Sequence, residues 1–170
     1  MSGTSLDDKA ASLAIDILVE TSGWPPEDAL TKIADAATTA AIASIGPKLA
    51  DDAELSIVFT DDAHIRVLNG QYRGKDSATN VLSFPGASAK PGTFGPLLGD
   101  LVLARETIAR EAEEEGISVE HHLTHLLVHG FLHLLGYDHE RDDEAVAMEA
   151  LETAILADLG VADPYGGRAG

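Results

Sequence analysis

Three histidines in the last third of the chain have the residue type and spacing to hold a metal ion. His129, His133 and His139 lie in the stretch HGFLHLLGYDH, and six of the seven histidines fall between positions 121 and 139. On a helix, residues four apart share a face about 6 Å apart along the axis, so His129 and His133 can point at one ion. Gly136 accepts the left-handed conformation that ends a helix, and the reversed chain would bring His139 back over the pair.

This set of donors indicates a catalytic zinc site. Three neutral imidazoles plus one water make a tetrahedral zinc site with an open position, whereas structural sites are closed by a fourth protein ligand. The chain has no cysteine, so any transition metal must use histidine or carboxylate. Such an ion lowers the pKa of bound water from about 15.7 to about 7, which suits hydrolysis of a phosphodiester, ester or amide. We predict one zinc ion per chain.

Gly130 separates this motif from that of the helical zinc peptidases. In those enzymes a glutamate follows the first histidine and moves the proton that lets the amine leave. A metalloprotease is therefore the second choice here, although the spacing of the three histidines matches the metzincin pattern. We also expect the missing side chain to leave room beside the metal for a wide substrate such as a nucleotide strand.

His122 and His125 lie on the same predicted helix and compete as ligands. His122 is about 10 Å along the axis from His129, too far to share an ion with it. His125 has no obvious third ligand. We interpret both as hydrogen-bonded, partly buried core residues.

The hydrophobic periodicity around the motif predicts an α+β fold. We expect a small mixed sheet of about four strands packed against about five helices, with the metal cleft at the histidine helix. The segment PGASAKPGTFGP (85–96) has two interpretations, a mobile flap beside the site or an ordinary hairpin connection. The predicted strands cover 13–19, 54–60, 80–84 and 97–104, and the predicted helices 27–45, 61–74 (capped by Asp61 or Asp62), 106–115, 118–135 and 143–159.

Length and composition predict a single cytoplasmic domain. A chain of 170 residues with 45% hydrophobic residues can bury one core, and we expect residues 1–10 and 164–170 to be flexible tails. No apolar run reaches membrane-spanning length, and the start lacks the pattern of a secretory signal. The net charge of −18 argues against a generic nucleic-acid binder with a basic footprint, but leaves room for a locally basic cleft.

Three ordered motifs resemble one known family. HGFLHLLGYDH resembles the signature H-G-x-L-H-L-x-G-Y-D-H of the YbeY-type endoribonucleases, zinc-dependent proteins of bacterial ribosomal RNA maturation. LNGQYRGKDSATNVLSFP (68–85) and LGDLVLARET (98–107) resemble the family's other two blocks. Ala78 stands where the family usually has proline and Asn80 where it has aspartate, departures that concern a turn rather than the histidines.

The resemblance implies a metal-dependent endoribonuclease that cleaves single-stranded precursor RNA of the small ribosomal subunit. It makes His129, His133 and His139 the metal ligands at the mouth of a cleft, and Arg73 the functional arginine. A guanidinium beside the metal would clamp a phosphate and stabilise the charge that grows in the transition state. Lys75 would add a weaker phosphate contact, and Asp138 would orient a ligand or shape the turn.

The sequence leaves alternatives open for the binding partners, the nucleophile and the catalytic role itself. Basic proteins of the small ribosomal subunit would suit the acidic surface. The nucleophile is either water or a ribose 2′-hydroxyl. A non-catalytic reading also remains, in which the chain is a ribosome-assembly factor whose zinc mainly staples the last two helices together.

Overall fold

One mixed β-sheet organises the part of the chain that the computed structural model describes, residues 13–86, 88–138, 141–162 and 164. Its strands are β1 (Ala14–Val19), β2 (Glu54–Thr60), β3 (Val81–Pro85), β4 (Ser88–Lys90) and β5 (Thr93–Ala104). Four strands follow the order β1, β2, β5, β3, and the short β4 pairs with the beginning of β5. Strands β1, β2 and β5 are parallel, and β3 runs antiparallel to β5. The predicted small mixed sheet is confirmed.

The described residues form five helices, as predicted. These are α1 (Glu27–Ile45), α2 (Asp62–Arg73), α3 (Arg105–Glu115), α4 (Val119–Leu134) and α5 (Asp142–Asp158). Local capping explains why their ends could be predicted. The Asp61 carboxylate accepts from the backbone N–H of His64 at 2.9 Å, so Asp61 rather than Asp62 is the cap of α2. Gly46, at φ 67°, ends α1 where the sequence placed its end.

The two faces of the sheet are covered differently. Leu101 and Leu103 of β5 belong to a large core shared with α1, α3, α4 and α5. Val102 and Ala104, which alternate with them, belong to a smaller cluster with Ile65 of α2. Because successive side chains of a strand point to opposite faces, α2 lies on one side of the sheet and α4 on the other. Both helices contact strand β3 at Ser83, α2 through Arg73 and α4 through Gly130.

Helix α4, which carries the histidine motif, is buried on most sides. Its buried residues are His122, Leu123, Thr124, Leu126, Leu127, Val128, Gly130, Phe131, Leu132 and Leu134. A helix that is apolar nearly all round lies inside a protein rather than on its surface. Packing against several elements at once holds α4 in a fixed position, so the directions of its histidines are set by the core.

The segment 85–96 is more regular than the flap interpretation required. Strand β4 pairs with β5, and β5 begins at Thr93 instead of the predicted position 97. The Phe94 N–H donates to the Lys48 carbonyl, and the Phe94 carbonyl accepts from the Ala50 N–H, both at 2.8 Å. These pairings, which involve residues distant in sequence, hold a Gly- and Pro-rich segment extended. These pairings agree with the hairpin interpretation, and the mobility of a flap stays a prediction.

Some predictions fall where the structure gives no description. The expected tails, residues 1–10 and 164–170, lie outside the described residues except for Pro164, and so does His139. Within the described residues, no helix combines the length and the apolar character needed to cross a membrane.

Candidate active site

His129 and His133 point their outer ring nitrogens at each other. The two residues are one turn apart on α4, and their Nε2 atoms are separated by 3.1 Å. Their rings are nearly perpendicular, at 83°, with centroids 4.6 Å apart. Both side chains line a cavity of about 930 Å³. The structure therefore brings together the two members of the predicted triplet that it describes.

Each ring is fixed through its other nitrogen. The Nδ1–H of His129 donates to the Glu152 Oε2 at 2.6 Å, and the Nδ1–H of His133 donates to the Tyr137 carbonyl at 3.0 Å. The Tyr137 carbonyl reaches the ring because Gly136, at φ 96°, reverses the chain after α4. That conformation favours glycine, so the turn predicted at this position serves to orient His133.

This pairing sets the tautomer of the two rings. A carboxylate and a carbonyl only accept hydrogen bonds, so both Nδ1 atoms must carry the proton. In the neutral rings both Nε2 atoms are then lone-pair donors, and at 3.1 Å they repel unless a proton or a metal cation lies between or beside them. Imidazole Nε2 atoms whose Nδ1–H is bound to a carboxylate or carbonyl are the usual zinc ligands. The donor set fits a zinc ion.

The third predicted ligand is untested, since His139 lies outside the described residues. Among residues 13–86, 88–138, 141–162 and 164, no group of three histidine, cysteine, aspartate or glutamate side chains is placed to hold a metal ion. His129 and His133 supply two donors of such a site, and His139 stays the predicted third.

Glu152 is the site residue that sequence reasoning missed. It is fully buried on α5, and besides His129 it accepts from the His125 Nε2–H at 3.0 Å. A signal was present in the sequence, because Glu152 falls on the buried stripe of α5 formed by Met148, Ile155 and Leu156. A glutamate at a core position is rare unless it is paired. Such a position predicts a buried partner, and here the partners are histidines.

His122 and His125 agree with their interpretation as core residues. His122 is buried, and its Nε2–H donates to the Glu111 Oε1 at 2.8 Å. His125 shares Glu152 with His129 and does not line the cavity. Their roles in this structure are hydrogen bonds to glutamates on neighbouring helices.

The asparagine at position 80, where the family usually has aspartate, is explained by its contact with Glu111. The Asn80 amide donates from Nδ2 to the Glu111 Oε1 at 3.0 Å, and its Oδ1 accepts from the Val81 N–H at 2.7 Å. An aspartate at position 80 would place a second carboxylate against Glu111, with no donor between them. The departure from the family pattern therefore fits the local partner and keeps the loop before β3 in place.

Arg73 reaches across the strand β3 from the end of α2. Its Nη2 donates to the Ser83 carbonyl, and its guanidinium carbon lies 5.6 Å from the centre of the Phe84 ring. The same residue lines the cavity that contains His129 and His133. A cation stacked on one ring and bound to one carbonyl has few alternative positions, and Arg73 keeps further N–H groups for a ligand.

The described lining of the cavity has two formal cations and one formal anion. Its described lining includes Arg73, Lys75 and Asp138 as formally charged side chains, so cations exceed anions there although the chain carries −18. Lys75 follows α2 directly, and Asp138 follows Tyr137. The structure thus places all three predicted residues at one cavity with the histidine pair.

The loop between α2 and β3, residues 74–80, forms one wall of this cavity and is tethered by further side-chain contacts besides the one between Asn80 and Glu111. The Asn69 amide donates to the Ser77 carbonyl at 2.9 Å. Arg66 donates to the two carboxylate oxygens of Asp76, at 2.8 and 3.2 Å. These hydrogen bonds first, and the opposite charge second, lower the pKa of the Asp76 carboxyl and raise the pKa of the Arg66 guanidinium.

Gly130 packs against the sheet instead of leaving space for substrate beside the predicted metal site. A Cβ atom at this position would lie 2.8 Å from Leu101 Cδ2 and 3.3 Å from Ser83 Oγ. Gly130 therefore faces the sheet, where it lets α4 approach β5 and β3 closely. The prediction that its missing side chain makes room for substrate is wrong, because that space is filled by Leu101.

A family profile and individual relatives of this chain carry the same description. The profile of the family described as Endoribonuclease YbeY matches residues 20–160. Relatives named Endoribonuclease YbeY from Rhizobium meliloti and Azorhizobium caulinodans are 55% and 54% identical, over 91% and 90% of this chain and 96% of each relative. A protein of known solution structure from Thermotoga maritima has a TM-score of 0.53 at 24% identity, over 86% of this chain and 91% of that one, and has a similar fold.

Proposed function

The chain belongs to the endoribonuclease YbeY family, and from this premise we propose that it is a zinc-dependent endoribonuclease of ribosomal RNA maturation. The observation that carries the proposal is the shared cavity, in which the converging Nε2 atoms of His129 and His133 lie with Arg73. Converging imidazoles suit a metal, and a guanidinium suits a phosphate. A metal and a phosphate-binding group side by side are the requirements of phosphodiester cleavage.

In this proposal His129, His133 and His139 hold one zinc ion. When bound, the ion supplies positive charge and Lewis acidity at the scissile phosphate. Glu152 and the Tyr137 carbonyl keep the His129 and His133 rings in the tautomer that presents Nε2. Asp138, which also lines the cavity, orients a ligand or shapes the turn after Tyr137.

Arg73 binds the phosphate at the cleavage point. Its contacts with the Ser83 carbonyl and the Phe84 ring hold the guanidinium ready before substrate arrives, so little reorganisation is needed as charge develops on the phosphate. Lys75, on the loop that walls the cavity, adds a second and weaker phosphate contact. The nucleophile is water or a ribose 2′-hydroxyl, and a cyclic phosphate at the product end would identify the ribose.

The substrate is single-stranded precursor RNA of the small ribosomal subunit. A flexible strand can bend one phosphate into a cavity of about 930 Å³, whereas an A-form duplex presents its backbone on a regular helix and is bound by shape over many base pairs. Basic proteins of that subunit would complement the −18 charge of the chain. A function on the ribosome places the protein in the cytoplasm.

The direct test is to incubate the pure protein with precursor ribosomal RNA, with and without chelator. Cleavage that stops with chelator and returns with zinc supports the proposal. Arg73→Ala is the site variant, and Arg110→Ala is its matched control, because Arg110 is an exposed arginine of α3 that does not line the cavity. Cleavage that survives both the chelator and Arg73→Ala would contradict the proposal.

The non-catalytic alternative predicts a different result for His129→Ala. If zinc only staples α4 to the chain after it, this variant should lower the melting temperature together with any RNA effect. A catalytic role predicts lost cleavage with a folded protein. The exposed His121 on the same helix provides His121→Ala as a control for losing a histidine there.

A metalloprotease is the less favoured enzyme. The position that would carry its glutamate is Gly130, which packs against Leu101 and has no room for a carboxylate. A protease assay on unfolded protein substrates, run beside the RNA assay, distinguishes the two activities.

A further inference from the structure

An exposed aromatic side chain lies directly beside the proposed phosphate site. Tyr72 precedes Arg73 at the end of α2 and is 65% exposed. Tyrosine is enriched at binding surfaces, because its ring offers a large flat contact area and its hydroxyl a polar end. Its location next to Arg73 raises the question of which ligand would cover it.

Tyr72 and Arg73 rest on the same ring. The rings of Tyr72 and Phe84 form a T-shaped contact at 69°, with centroids 5.4 Å apart, and the Arg73 guanidinium lies over the Phe84 ring. Phe84 itself is anchored in β3, where it packs against the smaller core cluster. The Tyr72 ring is therefore held in position by Phe84 while it stays open to solvent.

The strand β3 places this aromatic pair on the other side of Arg73 from the cavity. Of the strand β3, residues 81–83 and Pro85 line the cavity, whereas Phe84 does not line it and packs against the cluster on the side covered by α2. Arg73 contacts both sides, since it lines the cavity and lies over Phe84. An RNA chain with one phosphate bound at Arg73 would therefore continue next to Tyr72.

Charge alone gives this chain little affinity for RNA. Nonspecific RNA binding normally comes from many lysine and arginine contacts to phosphates, but the chain has 11 such residues against 29 acidic ones. Among the described lining residues of the cavity, only Arg73 and Lys75 are formal cations. Stacking of bases on aromatic rings is the other main source of affinity for single strands, and it needs no net charge.

We propose that Tyr72, supported by Phe84, is a stacking subsite for an unpaired base of single-stranded RNA whose neighbouring phosphate binds Arg73. This subsite rests on the proposed endoribonuclease function and names the part of the substrate that the site holds. It accepts any base, because every base has a flat face. Selection for unpaired RNA follows, since a base inside a duplex is already stacked on its neighbours.

The test compares two short single-stranded oligoribonucleotides with the same phosphates, one with bases and one abasic at the central positions. Binding to the whole, metal-loaded protein is followed by fluorescence anisotropy, with the RNA checked for integrity by gel. The unaltered protein should bind the base-bearing strand about tenfold more tightly. Tyr72→Ala should remove that difference by weakening only the base-bearing strand, and Tyr72→Phe should keep it.

A salt series separates stacking from phosphate binding. Tyr72→Ala should leave the slope of log affinity against log salt unchanged, while Arg73→Ala should make it shallower because a phosphate contact is lost. Val67→Ala is the matched control, since Val67 lies on the same helix and is 54% exposed but offers no ring. It should bind both oligonucleotides like the unaltered protein.

Four outcomes would overturn the subsite. Equal weakening of both oligonucleotides by Tyr72→Ala would indicate a structural or backbone effect. Unchanged binding and cleavage would reject the subsite while the endoribonuclease proposal stands. Lost binding to ribosomal subunits with unchanged binding to oligonucleotides would make Tyr72 a contact for protein instead. If the unaltered protein neither binds nor cleaves RNA, both proposals fail.

Discussion

Glu152 on α5 and His129 on α4 are joined by a hydrogen bond of 2.6 Å between Oε2 and Nδ1. The glutamate is fully buried, so the bond is shielded from water, and charge-assisted bonds of this length are among the strong ones in proteins. The same carboxylate binds His125. Helix α5 thereby fixes the ring orientation of His129, a proposed metal ligand.

Replacing Glu152 with glutamine should weaken metal binding more than folding. The amide keeps the size of the side chain but removes the negative charge that favours electron donation by His129 towards a metal. We expect zinc affinity to fall about 10- to 100-fold. A competition titration with a colorimetric chelator measures this effect without reference to activity.

Glu149→Gln is the control for the loss of one glutamate on α5, because Glu149 is exposed. It should leave zinc affinity unchanged. The melting temperature of each metal-free variant is measured in parallel. Unchanged zinc affinity in Glu152→Gln would show that the buried carboxylate is structural only.

Arg73 should be sensitive even to a conservative change. Lysine keeps the charge but has neither the planar group that lies over Phe84 nor the fork of donors that can bind the Ser83 carbonyl and a phosphate together. We expect Arg73→Ala to lower kcat for RNA cleavage by about 100-fold, and Arg73→Lys to recover little of it. The side chain is exposed, so unfolding free energies should stay within about 0.5 kcal/mol. A kcat for Arg73→Lys equal to that of the unaltered protein would mean that charge alone matters.

Replacing two helical glycines with alanine should change the free energy of unfolding in opposite directions. Gly130→Ala places a methyl group 2.8 Å from the buried Leu101 Cδ2, and overpacking costs typically about 1–3 kcal/mol. Gly70→Ala on α2 meets only the Lys75 carbonyl at 3.8 Å, an ordinary contact, and should stabilise the helix by about 0.5–1 kcal/mol. Thermal unfolding should show a fall of a few degrees for the first and a small rise for the second.

Gly130→Glu would recreate the peptidase motif and tests the same packing more severely. A carboxylate pushed against Leu101 would be buried without a partner, which costs several kcal/mol. We expect a poorly folded protein with no peptidase activity. A stable, folded Gly130→Glu variant would show that the space beside Leu101 is not closed.

The ion pair between Arg66 and Asp76 should make a contribution to the free energy of unfolding that depends on pH. The folded protein lowers the pKa of the Asp76 carboxyl, so this contribution is present above the unfolded pKa and is lost as the pH falls through the folded pKa. Asp76→Asn should therefore melt slightly below the unaltered protein at neutral pH and equal to it in strong acid. Both groups are exposed, so the difference should be small and should shrink with added salt. A difference that grows towards acid pH would contradict this sign.

Local features of the chain were predictable because their causes are local. The Asp61 cap acts on a residue three positions away, and Gly46 and Gly136 act on their own turns. The approach of His129 to His133 follows from a spacing of four on a helix. In each case the interacting groups are separated by less than two helical turns, so the sequence pattern contains both partners.

The sequence by itself therefore determined the helices, most strand positions, the family and the histidine pair. Only the tertiary structure decided that Glu152 binds His129 across 23 positions, that Gly130 faces Leu101 across 29, and that Phe94 extends β5 by pairing with Lys48 and Ala50. Such contacts arise when distant elements pack into one core, and no local periodicity encodes which neighbour a residue will meet. The orientation of the site is a product of that packing.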